Sequence, residues 1–209
     1  MGLNPTAVVL AYRQYGLGIS YYTDRDEAMD ESRRYYSVVA TFSVMDGTEV
    51  GLFQSRWALT SGASWQANGV TVKQRLANNL AVGFSLFQGQ VDGSQLFLAA
   101  RFPLTSPQSR QLLEAHFGVL HVNWRTRWAR NEELLPYLGL AWSVNDRWQL
   151  TAEARDRQDF ARKPSWLLAA HLKLNRSLQL SVGAVQSGFS DNPHLFVSLG
   201  FGSGTFAPR

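Results

Sequence analysis

Apolar and polar positions alternate along most of this chain with a period of two. The clearest stretch is 134–144. There Leu134, Leu138, Leu140, Trp142 and Val144 share one parity, and Tyr137, Gly139, Ala141 and Ser143 share the other. After the tight connection Asn145-Asp146-Arg147, Trp148, Leu150, Ala152 and Ala154 oppose Gln149, Thr151, Glu153 and Arg155. Successive strand residues point to opposite faces, so this is a hairpin with one apolar face and one small-or-polar face. A water-soluble sheet would cover the apolar face with a second layer, and no helical pattern is evident to supply one. The alternation predicts an all-β fold, an antiparallel transmembrane β-barrel with its apolar face to lipid, spanning 1–209 as a single domain.

The same pattern recurs in order. Strands are expected over 7–22, 35–45, 49–57, 65–76, 80–90, 95–104, 111–124, 134–144, 148–155, 165–174, 178–186 and 194–202, which makes twelve. Splitting the first of these at Gly16 would give thirteen. Asp46-Gly47 reads as a two-residue hairpin turn, because glycine tolerates the positive φ required there. Asp92-Gly93 reads the same way, and 77–79 and 175–177 as further short turns. The stretch 23–34 reads as a charged, solvated loop, with a cation or receptor site as the sharper alternative. On this division the connections after strands one, three, seven, nine and eleven are long, and those after two, four, six, eight and ten shorter. Only Asp92-Gly93 breaks the pattern. Outer-membrane barrels have even strand numbers, short periplasmic turns and longer outer loops, so twelve strands place both termini on the periplasmic side.

Composition fits this picture. Charged residues make up 17% of the chain, against roughly 25% in soluble domains. Aromatic residues reach 12%, including seven Trp and seven Tyr, yet mean hydropathy is only −0.18. No run approaches the ~18–20 apolar residues of a membrane helix. A barrel reconciles these facts, because alternation hides its lipid-facing half from any hydropathy average. Cysteine is absent, which removes disulfides and thiolate metal sites. The first residues lack a basic region followed by an apolar core, so a mature or trimmed form is expected. The net charge of +4 says little about partners. The expected location is the bacterial outer membrane, with membrane lipid as the obligatory partner.

Candidate functional residues follow from the polar parity. It carries Arg101, Glu114, His116, Glu153, Arg155, His171 and Lys173, together with Lys73 and Arg75 and, as a further candidate, Arg13. Charges cannot face hydrocarbon cheaply, so their clustering on one parity assigns that face to the lumen. One reading is that they pair and stiffen the barrel. The sharper reading is a cation-rich lumen that attracts an anionic solute or polysaccharide. Trp142 and Trp148 flank a short turn on the apolar face, and Trp166 lies at the opposite end of its strand. Amphipathic rings favour the membrane–water boundary, so these three are expected there.

Other chemistries find little support. A hydrolase on a barrel wall needs a nucleophile, a base and an orienting group at one depth. His116, His121, His171 and His194 fall on three strands, and no nearby serine is singled out by spacing. His121 is expected at the membrane boundary. No nucleotide-binding loop, zinc motif or calcium loop is present, no cofactor or metal is called for, and scattered basic residues argue against nucleic acid. The chain is not expected to be an enzyme.

The segments Tyr137-Leu-Gly-Leu-Ala-Trp142 and Trp148-Gln-Leu-Thr-Ala-Glu-Ala-Arg155 resemble the barrel of YjbH-type exopolysaccharide-export proteins, and the whole chain resembles small bacterial outer-membrane barrels. Barrels of this kind usually finish on an aromatic residue, whereas Phe206 is followed here by Ala207-Pro208-Arg209. The expected function is a pore or export channel for small or anionic solutes or polysaccharide. The alternatives are a structural or partner-binding barrel in a larger envelope complex, a barrel-wall lipid-modifying enzyme using His116 or His121, and a soluble β-sandwich or barrel.

Overall fold

The computed structural model describes residues 6, 8, 10–26, 31–106, 108–127, 129–158, 163–188 and 192–203, with the side chains of 24–26 and 31 outside the description. Twelve strands form in sequence order: β1 (Tyr15–Asp26), β2 (Glu31–Met45), β3 (Thr48–Leu59), β4 (Ser64–Ala77), β5 (Leu80–Gly89) and β6 (Asp92–Pro103), followed by β7 (Leu112–Arg125), β8 (Arg130–Ser143), β9 (Trp148–Arg155), β10 (Ser165–Lys173), β11 (Leu178–Gln186) and β12 (His194–Gly202). Each pairs antiparallel with its sequence neighbours, and β1 pairs with β12 from Gly16↔Gly202 to Tyr22↔Phe196, closing the barrel. Closure satisfies every sheet edge, which a barrel must do where no water can pair with open backbone groups.

The burial pattern is that of a soluble protein inverted. Leu52, Leu138, Ile19, Leu168 and Leu86 stand 48–59% exposed on the outside. Ser37, Ser55, Ser181 and Ser198 are buried on the inside. Soluble monomers rarely show contiguous apolar patches beyond a few hundred Å². Here the apolar surface runs around the whole barrel, so the outer face is solvated by lipid. On β8 the outward apolar stretch extends from Leu134 to Trp142, close to the ~9–11 residues that a tilted strand needs to cross the hydrocarbon.

Several boundaries differ from expectation. The charged stretch 23–34 is largely strand: β1 and β2 remain paired through Asp24↔Arg33 and Asp26↔Glu31, and 27–30 lie outside the described residues. Each strand supplies the other's backbone hydrogen bonds here, so polarity does not mark a loop. Likewise β7 and β8 stay in register to Arg125↔Arg130, reducing the expected long connection 125–133 to 126–129. The neat sorting of connections by length is therefore lost: at the end away from the termini, 60–63 and 126–129 are as short as 144–147 and 174–177 at the termini end. Asp92 and Gly93 belong to β6 and the reversal occurs at 90–91, whereas Asp46-Gly47 forms the expected turn with Gly47 at φ 77°.

The wall begins at Tyr15, not at residue 7. Residues 11–14 turn, with the Gln14 N–H donating to the Ala11 carbonyl and Arg13 at φ 66°. The preceding segment is held by side chains of the inner wall, since Lys73 Nζ donates to the Val8 carbonyl (2.6 Å) and the Leu10 N–H donates to Glu49 Oε2 (3.1 Å). Arg13 consequently lies in the turn, outside the strands. The expected chain-end signal around Phe206 lies outside the described residues.

Candidate functional site

The inner wall brings the polar parity of twelve strands together. Lys73 faces Glu49 across the β3–β4 pair at 3.1 Å, both side chains nearly buried. Arg75 sits at the termini-end rim, bonded to Asp46 of the β2–β3 turn at 2.6 Å. Glu114 lies between Arg101 (3.5 Å) and His116 (3.9 Å). Arg155 is within electrostatic reach of Glu133, Glu153 and Tyr22. Lys173 has no ion-pair partner among the described residues. Most cations of this wall therefore stand next to a carboxylate, which removes much of the net field that the isolated cations suggest.

His171 does something else. Its Nδ1 is 2.8 Å from Ser181 Oγ and its Nε2 2.9 Å from Thr151 Oγ1. In either tautomer one nitrogen donates and the other accepts, and a hydroxyl can serve both roles. The imidazole thus ties β9, β10 and β11 together. His121 is on the outer face, 2.9 Å from Glu132 and just beyond the apolar stretch, so it is far from His116 in role although on the same strand. Among the described residues no group of three or more His, Asp and Glu is placed to hold a metal ion.

Register arranges the large inner residues. Phe53, Phe87, Phe97, Tyr137 and Phe196 each face a glycine on the neighbouring strand: Gly69, Gly93, Gly83, Gly118 and Gly183, in that order. At each of these glycines a Cβ would overlap the partner's ring. The rings therefore lie against the wall over a position without a side chain. In one sector they merge with aliphatic residues, where Phe97, Leu120, Val122, Leu135 and Tyr137 pack together with Trp124 at their edge.

Two rungs run in parallel around the inner wall. One is Ser181↔Ser198↔Ser20↔Ser37↔Ser55, one serine from each of β11, β12, β1, β2 and β3, with His171 at its β10 end. One inward step farther from the termini, Phe196↔Tyr22↔Tyr35↔Trp57↔Trp65 places an aromatic residue on each of β12, β1, β2, β3 and β4. The small serines leave room for the rings, and Tyr35 reaches down to Ser55 (3.2 Å). Strand parity alone puts each of these residues on the inner face. It cannot show that they fall on one rung, because that depends on register and on the closure of β1 with β12.

Trp142 and Trp148 project outward near the 144–147 turn at 39% and 42% exposure. Trp166 is at the far end of β10, its indole N–H donating to Gln186 Oε1 at 2.6 Å.

No protein-family model matches the sequence, and no curated protein matches it. Solved structures do share its fold. The KdgM porin superposes with a TM-score of 0.60 over 91% of this chain and 99% of its own, at 8% identity. The KdgM porin in complex with disordered oligogalacturonate gives 0.61 at 10% identity, over the same shares. An outer membrane channel from Pseudomonas putida F1 gives 0.54 at 10% identity, over 96% of this chain and 100% of that one. The chain thus has the fold of the bacterial outer-membrane β-barrels. These comparisons do not bring out the resemblance to YjbH-type proteins.

Proposed function

We propose that this outer-membrane barrel is a pore that passes small anionic solutes or saccharide chains. The observation that carries this reading is the seating of the inner rings over glycines. A barrel that fills its interior sends large side chains across the axis, whereas Phe53, Phe87 and Phe196 are accommodated along the wall. Neighbours with this fold include a porin and a channel, and the porin has been seen with an oligogalacturonate. Lys173 lines the wall with no carboxylate partner among the described residues, which supports a weak preference for anions. The pairs Lys73–Glu49 and Arg101–Glu114 also brace the wall, so both roles of the charged residues operate together.

Insertion into planar bilayers under a salt gradient tests the proposal. Discrete current steps with a reversal potential on the anion side are expected, and a silent bilayer from correctly folded protein sinks it. A sealed barrel that binds an envelope partner is the second reading, favoured by the apolar sector around Leu120, which is 2% exposed. Co-purification of one stable partner with no conductance would select it.

A further inference from the structure

Apart from Tyr22, which is within electrostatic reach of Arg155, the aromatic rung has no place in an ion-pair account of the wall. The rings of Tyr22 and Tyr35 have centroids 4.6 Å apart at 31°, and those of Tyr35 and Trp57 lie 5.4 Å apart at 58°. These spacings match the ~4.8 Å between strands, so Tyr22, Tyr35 and Trp57 lean on one another instead of standing across the lumen. Exposure rises along the rung: Phe196 is 7% exposed, Tyr22, Tyr35 and Trp57 are half-buried, and Trp65 reaches 37% beside residues 60–63 at the far rim. Strands in barrels tilt, so a rung perpendicular to them climbs as it goes round. The result is an inclined track of aromatic surface from the far mouth into the wall.

We propose that this track binds the sugar rings of a saccharide chain, an inference that rests on the pore reading above and names its substrate class. Neutral aromatic faces in a wet lumen suit a ligand with one apolar face and polar edges, which is what a pyranose presents. Its C–H face stacks on the rings while its hydroxyls stay hydrated or meet the phenol oxygens. A small inorganic anion gains nothing from such a surface. A fully apolar solute would find no dry pocket, because the rung opens to the aqueous mouth at Trp65. Successive rings at strand spacing offer successive weak contacts, the arrangement that lets a chain move without being trapped.

Blockade of single-channel current by a neutral glucan oligosaccharide tests the inference, with a uronic-acid oligosaccharide of similar length run alongside. Both sugars are expected to interrupt the current of the intact protein. Trp57→Ala should shorten the blockades by about tenfold for the neutral sugar, Trp57→Phe should largely retain them, and Trp142→Ala on the outer face should leave them unchanged. Heat-shifted gel mobility verifies that each variant is a closed barrel. Current without blockade by the neutral sugar overturns the inference and leaves the pore standing, as does blockade by the acidic sugar alone or blockade indifferent to Trp57→Ala. If no current flows, the pore reading fails instead. Tryptophan fluorescence of the detergent-held barrel, titrated with the neutral sugar, then decides: saturable quenching lost in Trp57→Ala supports the track, and none overturns it.

Discussion

The ring of Phe97 fills the space that a side chain at Gly83 would need. These residues are direct partners on β6 and β5, and the three atoms nearest to a Cβ at Gly83 all belong to that ring. At Gly69, Gly93, Gly118 and Gly183 a carbonyl of a neighbouring strand also blocks the position, so Gly83 isolates the ring–glycine contact from backbone crowding.

Gly83→Ala is therefore expected to destabilise the barrel by about 1–3 kcal/mol, the usual cost of overpacking. Phe97→Leu in the same chain should recover part of it, because the smaller side chain vacates the site. A double-mutant cycle on the unfolding midpoint in detergent measures the coupling, and strictly additive effects would refute the contact.

His171 bridges Thr151 and Ser181 inside the wall. His171→Ala strands the Thr151 hydroxyl, leaves Ser181 Oγ with only the long contact from Gln179 Nε2 (3.4 Å) and removes the tie between β9 and β11, at an expected cost of about 1–3 kcal/mol. His121→Ala, on the exposed outer face, serves as the comparison and should stay within about 0.5 kcal/mol. Equal losses in the two variants would show that the inner hydrogen bonds contribute nothing special.

Lys73 holds the Val8 carbonyl, and Glu49 holds the Leu10 N–H. Glu49→Gln with Lys73→Met should release the segment before Tyr15 and raise its amide exchange, while the β3–β4 ladder keeps its protection. Proteolysis ahead of Tyr15 should accelerate in parallel. Unchanged exchange would mean that the segment is held by something other than these two side chains.

Arg101 and Lys173 differ in their surroundings, since Arg101 has Glu114 at 3.5 Å and Lys173 has no carboxylate partner among the described residues. Reversing Lys173 to Glu should lower the anion-to-cation permeability ratio by about two- to fivefold at low salt, with the effect shrinking as salt rises. Arg101→Glu should reduce selectivity as well, and in addition cost stability, because it sets two carboxylates side by side. Reversal potentials across a salt series separate the two. A selectivity insensitive to both variants would remove the wall charges from the mechanism.

Trp148 and Trp142 share the outer rim near 144–147. Removing the amphipathic ring in Trp148→Ala should weaken anchoring at the boundary and lower the temperature of the heat-induced gel shift. Trp148→Phe should recover less than Trp148→Tyr, because only the latter keeps a polar tip for the interface.

Much of this molecule is legible in one dimension. Strict alternation in segments such as 134–144 fixes which side chains share a face, and the absence of any covering layer fixes which face meets lipid. The inward position of Glu114, His116, Glu153, Arg155, His171 and Lys173, and the outward position of Trp142 and Trp148, need nothing beyond the period of two. Turn chemistry at Asp46-Gly47 is equally local. Strand ends are not, because Asp24, Arg33 and Arg130 look like loop residues until a partner strand beside them supplies hydrogen bonds. The first strand fails for the opposite reason: residues before Tyr15 alternate well enough, yet Glu49 and Lys73 offer their backbone groups a different set of bonds.

Register lay beyond the sequence altogether. Parity says that Phe97 and Gly83 face inward, and that Tyr22, Tyr35, Trp57 and Trp65 do too. Only the pairing of β5 with β6 seats the ring over the glycine, and only the closure of β1 on β12 joins Phe196 to Tyr22. Alternation is a property of each strand's own backbone, so the chain states it locally. A rung is a relation among strands far apart in sequence, and the hydrogen bonds that align them exist only in the closed barrel.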